Sequence, residues 1–111
     1  MSGALQKKRL GYGAQDKRKS TLETGPLLSS ENLLEKLVSS KLRCAYCREP
    51  TKVVYGVPRD PKQWTLDRID NCKGHTSDNT VVACMACNLQ RGTADAERFR
   101  YGKCLKVKRV N

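Results

Sequence analysis

The stretch WTLDRIDNCKGHTSDNTVVACMACN, residues 64–88, decides the fold of this chain. It ends in the pair Cys84 and Cys87, and the segment CAYC upstream supplies a second pair, Cys44 and Cys47. Two Cys-x-x-Cys pairs can supply the four sulfur ligands of a tetrahedral structural zinc site. We therefore predict a four-cysteine site for structural Zn²⁺ that holds the loop between the two pairs.

The composition predicts one small domain with an anionic partner. A chain of 111 residues, of which 38% are hydrophobic and which has a single Trp and a single Phe, can bury only a small core. Small domains of this kind usually need a staple such as a structural metal. The net charge is +11, from 22 Lys and Arg against 11 Asp and Glu. Such a charge favours a nucleic-acid partner, which we expect to be DNA (duplex or branched), with RNA as the alternative.

The chain has no sequence feature of a membrane protein. It contains no apolar run long enough to span a bilayer, and the segment MSGALQKKRL has no apolar region of a signal peptide. We therefore expect no membrane partner and an intracellular location, in the cytoplasm or the nucleus. Paired cysteines in a reducing compartment favour metal ligands over disulfides. The sequence leaves open whether the protein is a monomer or a homodimer.

The chain divides into three predicted segments: a basic, flexible arm over residues 1–26, a domain over 27–103 and a basic tail over 104–111. The arm is either a solvated, disordered segment or an arm that wraps a phosphate backbone. Its two basic clusters, the candidate nucleic-acid contacts, are Lys7, Lys8, Arg9, Lys17, Arg18 and Lys19.

Apolar periodicity and capping residues predict a small α+β fold. Ser29 or Ser30 is the expected N-cap of a first helix, and Thr93 that of the last. The predicted helices are 31–41, one that begins in CMACNLQRG at 84–92, and 93–103; the predicted strands are 52–58, 64–69 and 79–83.

Three motifs resemble the HNH, or ββα-metal, endonucleases: LDRID at 66–70, GHTSDN at 74–79 and CMACNLQRG at 84–92. The resemblance covers about residues 42–101 and is greatest to the zinc-stapled branch, similar to the recombination endonuclease VII group of phages and large viruses. It implies a ββα-metal motif stapled by the four-cysteine zinc site, with flanking helices and basic termini. It also implies a metal-dependent DNA endonuclease that hydrolyses phosphodiester bonds by nicking or by structure-directed cleavage.

The resemblance assigns site residues by position. Asp67 matches the metal-binding carboxylate, Asn88 the helical metal ligand, and Asn79 the amide that orients the catalytic histidine. Mg²⁺ or Mn²⁺ prefers such oxygen donors, and two protein ligands leave positions open for water and phosphate. The bound ion would neutralise charge on the scissile phosphate.

The chain departs from the family at the general base. Arg68 stands where a histidine is common, and an arginine stays protonated, although it can bind a phosphate with two hydrogen bonds. His75, the single histidine, has the right ordinary pKa for a base, but it can equally be a structural loop residue. Asp70 is the other candidate, as a base or as a second metal contact. Arg91 is expected either to contact nucleic acid or to lie on a solvated helix face.

Two functions follow from these patterns. Asp67, Asn79 and Asn88 together favour the endonuclease. Arg68 favours the alternative, a non-catalytic, zinc-stapled nucleic-acid-binding or assembly protein derived from an HNH fold.

Overall fold

The computed structural model describes residues 3–18 and 26–109, and the side chains of 3–16 and 26–103. No helix among them is both long and apolar enough to cross a membrane. The fold is a small α+β arrangement of helices around a two-stranded antiparallel sheet. In chain order its elements are α1 (Gly3–Arg18), α2 (Ser30–Ser39), β1 (Trp64–Arg68), β2 (Thr80–Cys84), α3 (Met85–Arg91) and α4 (Ala96–Arg109).

The sheet separates an apolar face from a polar face. β1 and β2 pair with Trp64 opposite Cys84 and Arg68 opposite Thr80. Because side chains alternate along a strand, Trp64 and Leu66 point to one face of β1, whereas Thr65 and Asp67 point to the other. The predicted strands 64–69 and 79–83 are confirmed within one residue at each end, and their register fixes which residues can meet α3.

The apolar face carries the main hydrophobic core. Leu33 and Leu37 lie one turn apart on α2 and are buried. Ser29 is the N-cap, with its hydroxyl accepting a hydrogen bond from the backbone N–H of Asn32 at 3.0 Å. The buried residues of this cluster are Leu28, Leu33, Leu37, Trp64, Leu66 and Val82.

α3 covers the polar face, and the four cysteines lie beside it, around the end of β2. A second buried cluster consists of Cys44, Tyr46, Ala83, Cys84 and Cys87. α3 begins directly after β2, with Cys84 as its N-cap. Asn88 and Arg91 therefore lie one turn apart on α3, which packs against both strands.

The predicted flexible arm over residues 1–26 is helical in the part that the structure describes. Residues Gly3–Arg18 form α1, and Leu5 and Tyr12 pack against the main core. This helix has no apolar stripe and docks through polar side chains, so hydrophobic periodicity did not indicate it. Lys19 and the side chains of Lys17 and Arg18 lie outside the described residues.

Three further boundaries differ from the prediction. Residues 52–58 do not form a strand: Lys52 makes one isolated bridge, to Gln63, and Val54 is 89% exposed. The N-cap of α4 is Asp95, not Thr93, since the Asp95 carboxylate accepts from the N–H of Arg98 at 3.0 Å. α4 also crosses the predicted boundary between residues 103 and 104.

Candidate metal centre and adjoining polar site

The four cysteine sulfurs lie close enough together to hold one metal ion. All four Sγ atoms are within 4.8 Å of one another, and those of Cys47 and Cys84 are 3.9 Å apart. A tetrahedral zinc with Zn–S bonds of about 2.3 Å would place its sulfurs about 3.8 Å apart. The cluster therefore fits a structural metal ion such as zinc.

The backbone around the cluster supports this assignment. Backbone N–H groups lie at hydrogen-bond distance from two sulfurs: Tyr46 N from Cys44 Sγ at 3.4 Å and Cys87 N from Cys84 Sγ at 3.5 Å. Burial raises the pKa of the Cys87 thiol, and the neighbouring sulfurs raise it further. Four thiolates in contact, three of them buried, would repel one another, so a cation is needed to stabilise their charged form.

Asp67 lies in a closed polar site beside this cluster. Its carboxylate accepts from the Tyr46 hydroxyl and from Nη1 of Arg91, the latter at 2.8 Å, and Asp67 is only 4% exposed. Burial and the bond to Asp67 raise the pKa of Tyr46, so the hydroxyl stays a donor. Asp67 is thus a buried carboxylate with a fixed counter-charge.

The Arg91 guanidinium is buried in this site with all of its hydrogen bonds made to Asp67 and to the backbone. It donates to three backbone carbonyls as well as to Asp67, and Arg91 is 3% exposed. The prediction that Arg91 contacts nucleic acid or lies on a solvated face is therefore wrong. The three carbonyls are those of Arg68, Ile69 (3.0 Å) and Ala94 (2.8 Å).

The Asp67 carboxylate, predicted to bind Mg²⁺ or Mn²⁺, does not fit a divalent cation here. An ion on the Asp67 carboxylate would lie against the positive charge of Arg91, which is unfavourable at low dielectric. The Asn88 amide donates its Nδ2 hydrogen to the Thr65 hydroxyl at 3.1 Å. The structure does bring Asp67 and Asn88 to the same face of the sheet, but Arg91 supplies the cation.

Asn79 fixes the loop between the strands. Its Nδ2 donates to the carbonyls of Asp70 and Gly74, both at 3.0 Å, and its Oδ1 accepts from the Asp70 N–H at 2.9 Å. All three contacts are to backbone groups. Asn79 therefore shapes the loop that carries His75 and makes no hydrogen bond to the imidazole.

His75 is buried against α1. Its Nδ1 lies 2.6 Å from Asp16 Oδ1, and its backbone N–H donates to Asp16 Oδ2 at 2.7 Å. The Tyr12 ring lies 4.5 Å away, centroid to centroid. Burial lowers the pKa of His75, and nearby Arg68 lowers it further, against the opposing effect of Asp16. This placement favours the structural role of His75.

The remaining candidates lie nearer to solvent. The Arg68 guanidinium donates to the Lys73 carbonyl at 3.3 Å and lies 3.9 Å from Asp16. Asp70 is exposed, and its carboxylate accepts from the Cys72 N–H at 2.9 Å in a local turn. An open cavity of about 560 Å³ is lined by Asp70, Asp95 and Arg91, among others.

Two of the predicted nucleic-acid contacts on α1 are used inside the fold. The Lys8 ammonium donates to Tyr55 Oη (3.1 Å), Gln63 Oε1 (2.9 Å) and the Trp64 carbonyl, and burial lowers its pKa to about 8. Arg9 donates to the Leu28 carbonyl at 3.0 Å. Lys7 remains exposed.

Comparison with protein-family models, curated proteins and solved structures finds no match. The function of the chain is therefore inferred from its own residues. The likeness to HNH endonucleases stays a prediction that rests on the motifs within residues 42–101.

Acid should destabilise the domain through His75. The groups that face its ring are Asp16 and Tyr12 from α1 and Arg68 and Asp67 from β1. Since the folded pKa is below the ordinary 6.5, the unfolded chain binds more protons as the pH falls through 6.5, and folding stability decreases. We expect the urea midpoint of the wild type to fall between pH 7 and pH 5.

The matched variant is His75→Gln, which removes the single imidazole of the chain. Its urea midpoint should vary less over the same pH range. A wild-type midpoint that is unchanged or higher at pH 5 would contradict the buried, neutral state of His75.

Proposed function

We propose that this chain is a nucleic-acid-binding protein, built on an HNH-like ββα scaffold stapled by zinc, that holds DNA without hydrolysing it. The observation that carries the proposal is the buried ion pair between Asp67 and Arg91. This pair occupies the place where the resemblance implies a catalytic metal ion, while the surface keeps the charge that attracts phosphates.

Hydrolysis needs a group that activates water as well as a cation near the scissile phosphate. Arg68 cannot accept a proton, and His75 is buried with Asp16 on its Nδ1. Asp67 is already neutralised by Arg91. We therefore infer that the residues that the resemblance assigns to catalysis support the fold instead.

The exposed cations suggest where phosphates bind. We define the knuckle surface as Lys41, Arg43, Arg48, Arg98 and Arg100, all of them at least partly exposed. Lys41 and Arg48 have left-handed backbone conformations, with φ of 56° and 66°, in the turns around the first cysteine pair. Phe99 of α4 packs edge to face on Tyr46 at 5.0 Å, which brings its two arginine neighbours to the same region.

Phosphate binding at the knuckle surface should depend steeply on salt. Each protein–phosphate contact releases condensed counterions, so its loss lowers the slope of log K against log salt by about 0.9 for B-form DNA. We expect Arg43→Gln/Arg98→Gln to weaken binding to a labelled 20-base-pair duplex and to reduce this slope by about 2. Fluorescence anisotropy at several salt concentrations measures both quantities.

A charge-matched control separates local contacts from net charge. Arg59→Gln/Lys62→Gln removes two exposed cations from a loop outside the knuckle surface. It should leave the slope closer to that of the wild type. Absence of binding by the wild type, or binding that salt does not affect, would refute nucleic-acid binding. An equal effect of the two double variants would refute the location.

The second candidate function is the metal-dependent endonuclease. The observation in its favour is that Asp67 and Asn88 share one sheet face, in the strand–strand–helix order that the resemblance implies. Endonuclease activity requires Arg91 to leave the Asp67 carboxylate.

Incubation of supercoiled plasmid with Mg²⁺ or Mn²⁺ decides between the two functions. We expect no nicking; nicking by the wild type that is lost in Asp67→Ala would establish the endonuclease instead.

A further inference from the structure

We propose that α1 is a detachable strap whose docked and nucleic-acid-bound states compete for the same basic residues. In the docked state α1 covers one edge of β1 and holds His75. Nucleic acid would draw α1 away while the metal-stapled body stays folded. The inference rests on the proposed function, since it requires a polyanion partner.

Three side chains on one stripe of α1 hold the strap. Lys8, Tyr12 and Asp16 are spaced four residues apart and therefore share one helix face. Lys8 contacts the Trp64 carbonyl, and the Tyr12 hydroxyl accepts from the Leu66 N–H at 3.2 Å. Both backbone groups lie on the edge of β1 that β2 does not pair. Asp16 completes the stripe by accepting from His75.

The strap is held mainly by polar contacts, which water or ions can replace. Of its described residues, Leu5 and Tyr12 pack against the main core, and both are only partly buried. The fully buried members of that core come from residues 28–82. The cysteine cluster also lies outside α1. The body therefore retains its own core and its metal site when α1 leaves.

Nucleic acid and the body compete for the cations of α1. In the docked state the Lys8 ammonium lies 4.4 Å from the Trp64 ring centroid and uses three acceptors of the body. Arg9 is bound to the Leu28 carbonyl. Neither can contact a phosphate with the same hydrogens. A polyanion that engages the Lys8 ammonium must therefore release it from these three acceptors first, and the coupling works equally in both directions.

Trp64 reports the position of α1. It is the single tryptophan of the chain and is 1% exposed under Lys8. Its emission should shift to longer wavelength when α1 leaves and water reaches the ring. We would titrate the protein with a 20-base-pair duplex and follow Trp64 emission, with duplex anisotropy and zinc release to a chromogenic chelator measured in parallel. We expect the red shift to saturate with binding, without zinc release.

Two matched pairs of variants test the competition. Asp16→Ala leaves the His75 N–H without its acceptor in the docked state, and Asp78→Ala removes one exposed acid outside α1. Tyr12→Phe removes the acceptor of Leu66 N–H, and Tyr101→Phe removes a hydroxyl from a residue that is 68% exposed. The Asp16 variant should bind the duplex about fivefold more tightly than its control. The Tyr12 variant should change in the same direction.

The outcomes separate the strap from the proposed function. Duplex binding with unchanged Trp64 emission would overturn the strap and leave nucleic-acid binding intact. Equal affinities within both pairs would also overturn the strap. If Asp16→Ala fails to fold, the comparison of Tyr12→Phe with Tyr101→Phe tests the strap alone. A red shift accompanied by zinc release would mean that the whole body opens, which also overturns the strap. No binding of any duplex would overturn both proposals.

Discussion

Cys84→Ser is expected to unfold the domain, whereas Cys72→Ser is expected to leave it folded. Cys84 is 2% exposed, ends β2 and caps α3, and its sulfur belongs to the four-cysteine cluster. Binding of structural zinc contributes about 10–16 kcal/mol in small metal-stapled domains, and a whole domain is stable by only about 5–15 kcal/mol. Loss of one ligand should therefore remove most of the folding free energy.

Circular dichroism and zinc content measure this effect. The serine variant of Cys84 should lose the cooperative thermal transition and the bound zinc together. Cys72 is exposed and lies outside the cluster, so its replacement controls for the loss of any thiol. Chelation of the wild type should reproduce the Cys84 result. A wild type that keeps its transition after complete removal of zinc would show that the metal is not structural.

Local sequence patterns predicted the part of the fold that local interactions determine. The two cysteine pairs, the strands around Trp64 and Val82 and the helix after Cys84 all carry their signals within a few residues. α1 carries no such local signal, because Lys8, Tyr12 and Asp16 bind partners far along the chain. The Asp16 carboxylate, for example, accepts a hydrogen bond from a histidine 59 residues away. The composition of α1 is basic and polar, and a disordered arm has the same composition.

The partners of the site residues also depend on the fold and were harder to predict from the sequence. Residue type and position matched Asp67 to a metal-binding carboxylate, but the sequence does not state which cation a carboxylate meets. One available signal was missed. Asp67 faces α3 by strand alternation, and Arg91 follows Asn88 by three residues on that helix, so the guanidinium could be expected near the carboxylate. The carbonyls that complete its hydrogen bonding depend on the fold and could not be predicted.

Arg91→Ala is expected to destabilise the domain by about 3–5 kcal/mol, the usual cost of leaving a buried charge without its partner. Asp67 would stay buried with only the Tyr46 hydroxyl as donor, and three backbone carbonyls would lose theirs. Urea unfolding measures the change. Arg98→Ala, on the exposed face of α4, should alter stability by no more than about 0.5 kcal/mol.

A double-mutant cycle then isolates the ion pair. The double variant Asp67→Asn/Arg91→Ala should lose less stability than the sum of the losses in the two single variants, because removing both charges leaves neither buried alone.

The response to Mg²⁺ is a second test of the ion pair. With Arg91 in place the Asp67 carboxylate is neutralised, so millimolar Mg²⁺ should leave wild-type stability unchanged, whereas Arg91→Ala should regain stability by binding the ion. Specific stabilisation of the wild type by Mg²⁺, lost in Asp67→Asn, would show instead that the guanidinium yields to a metal, and the endonuclease would then become the better interpretation of this site.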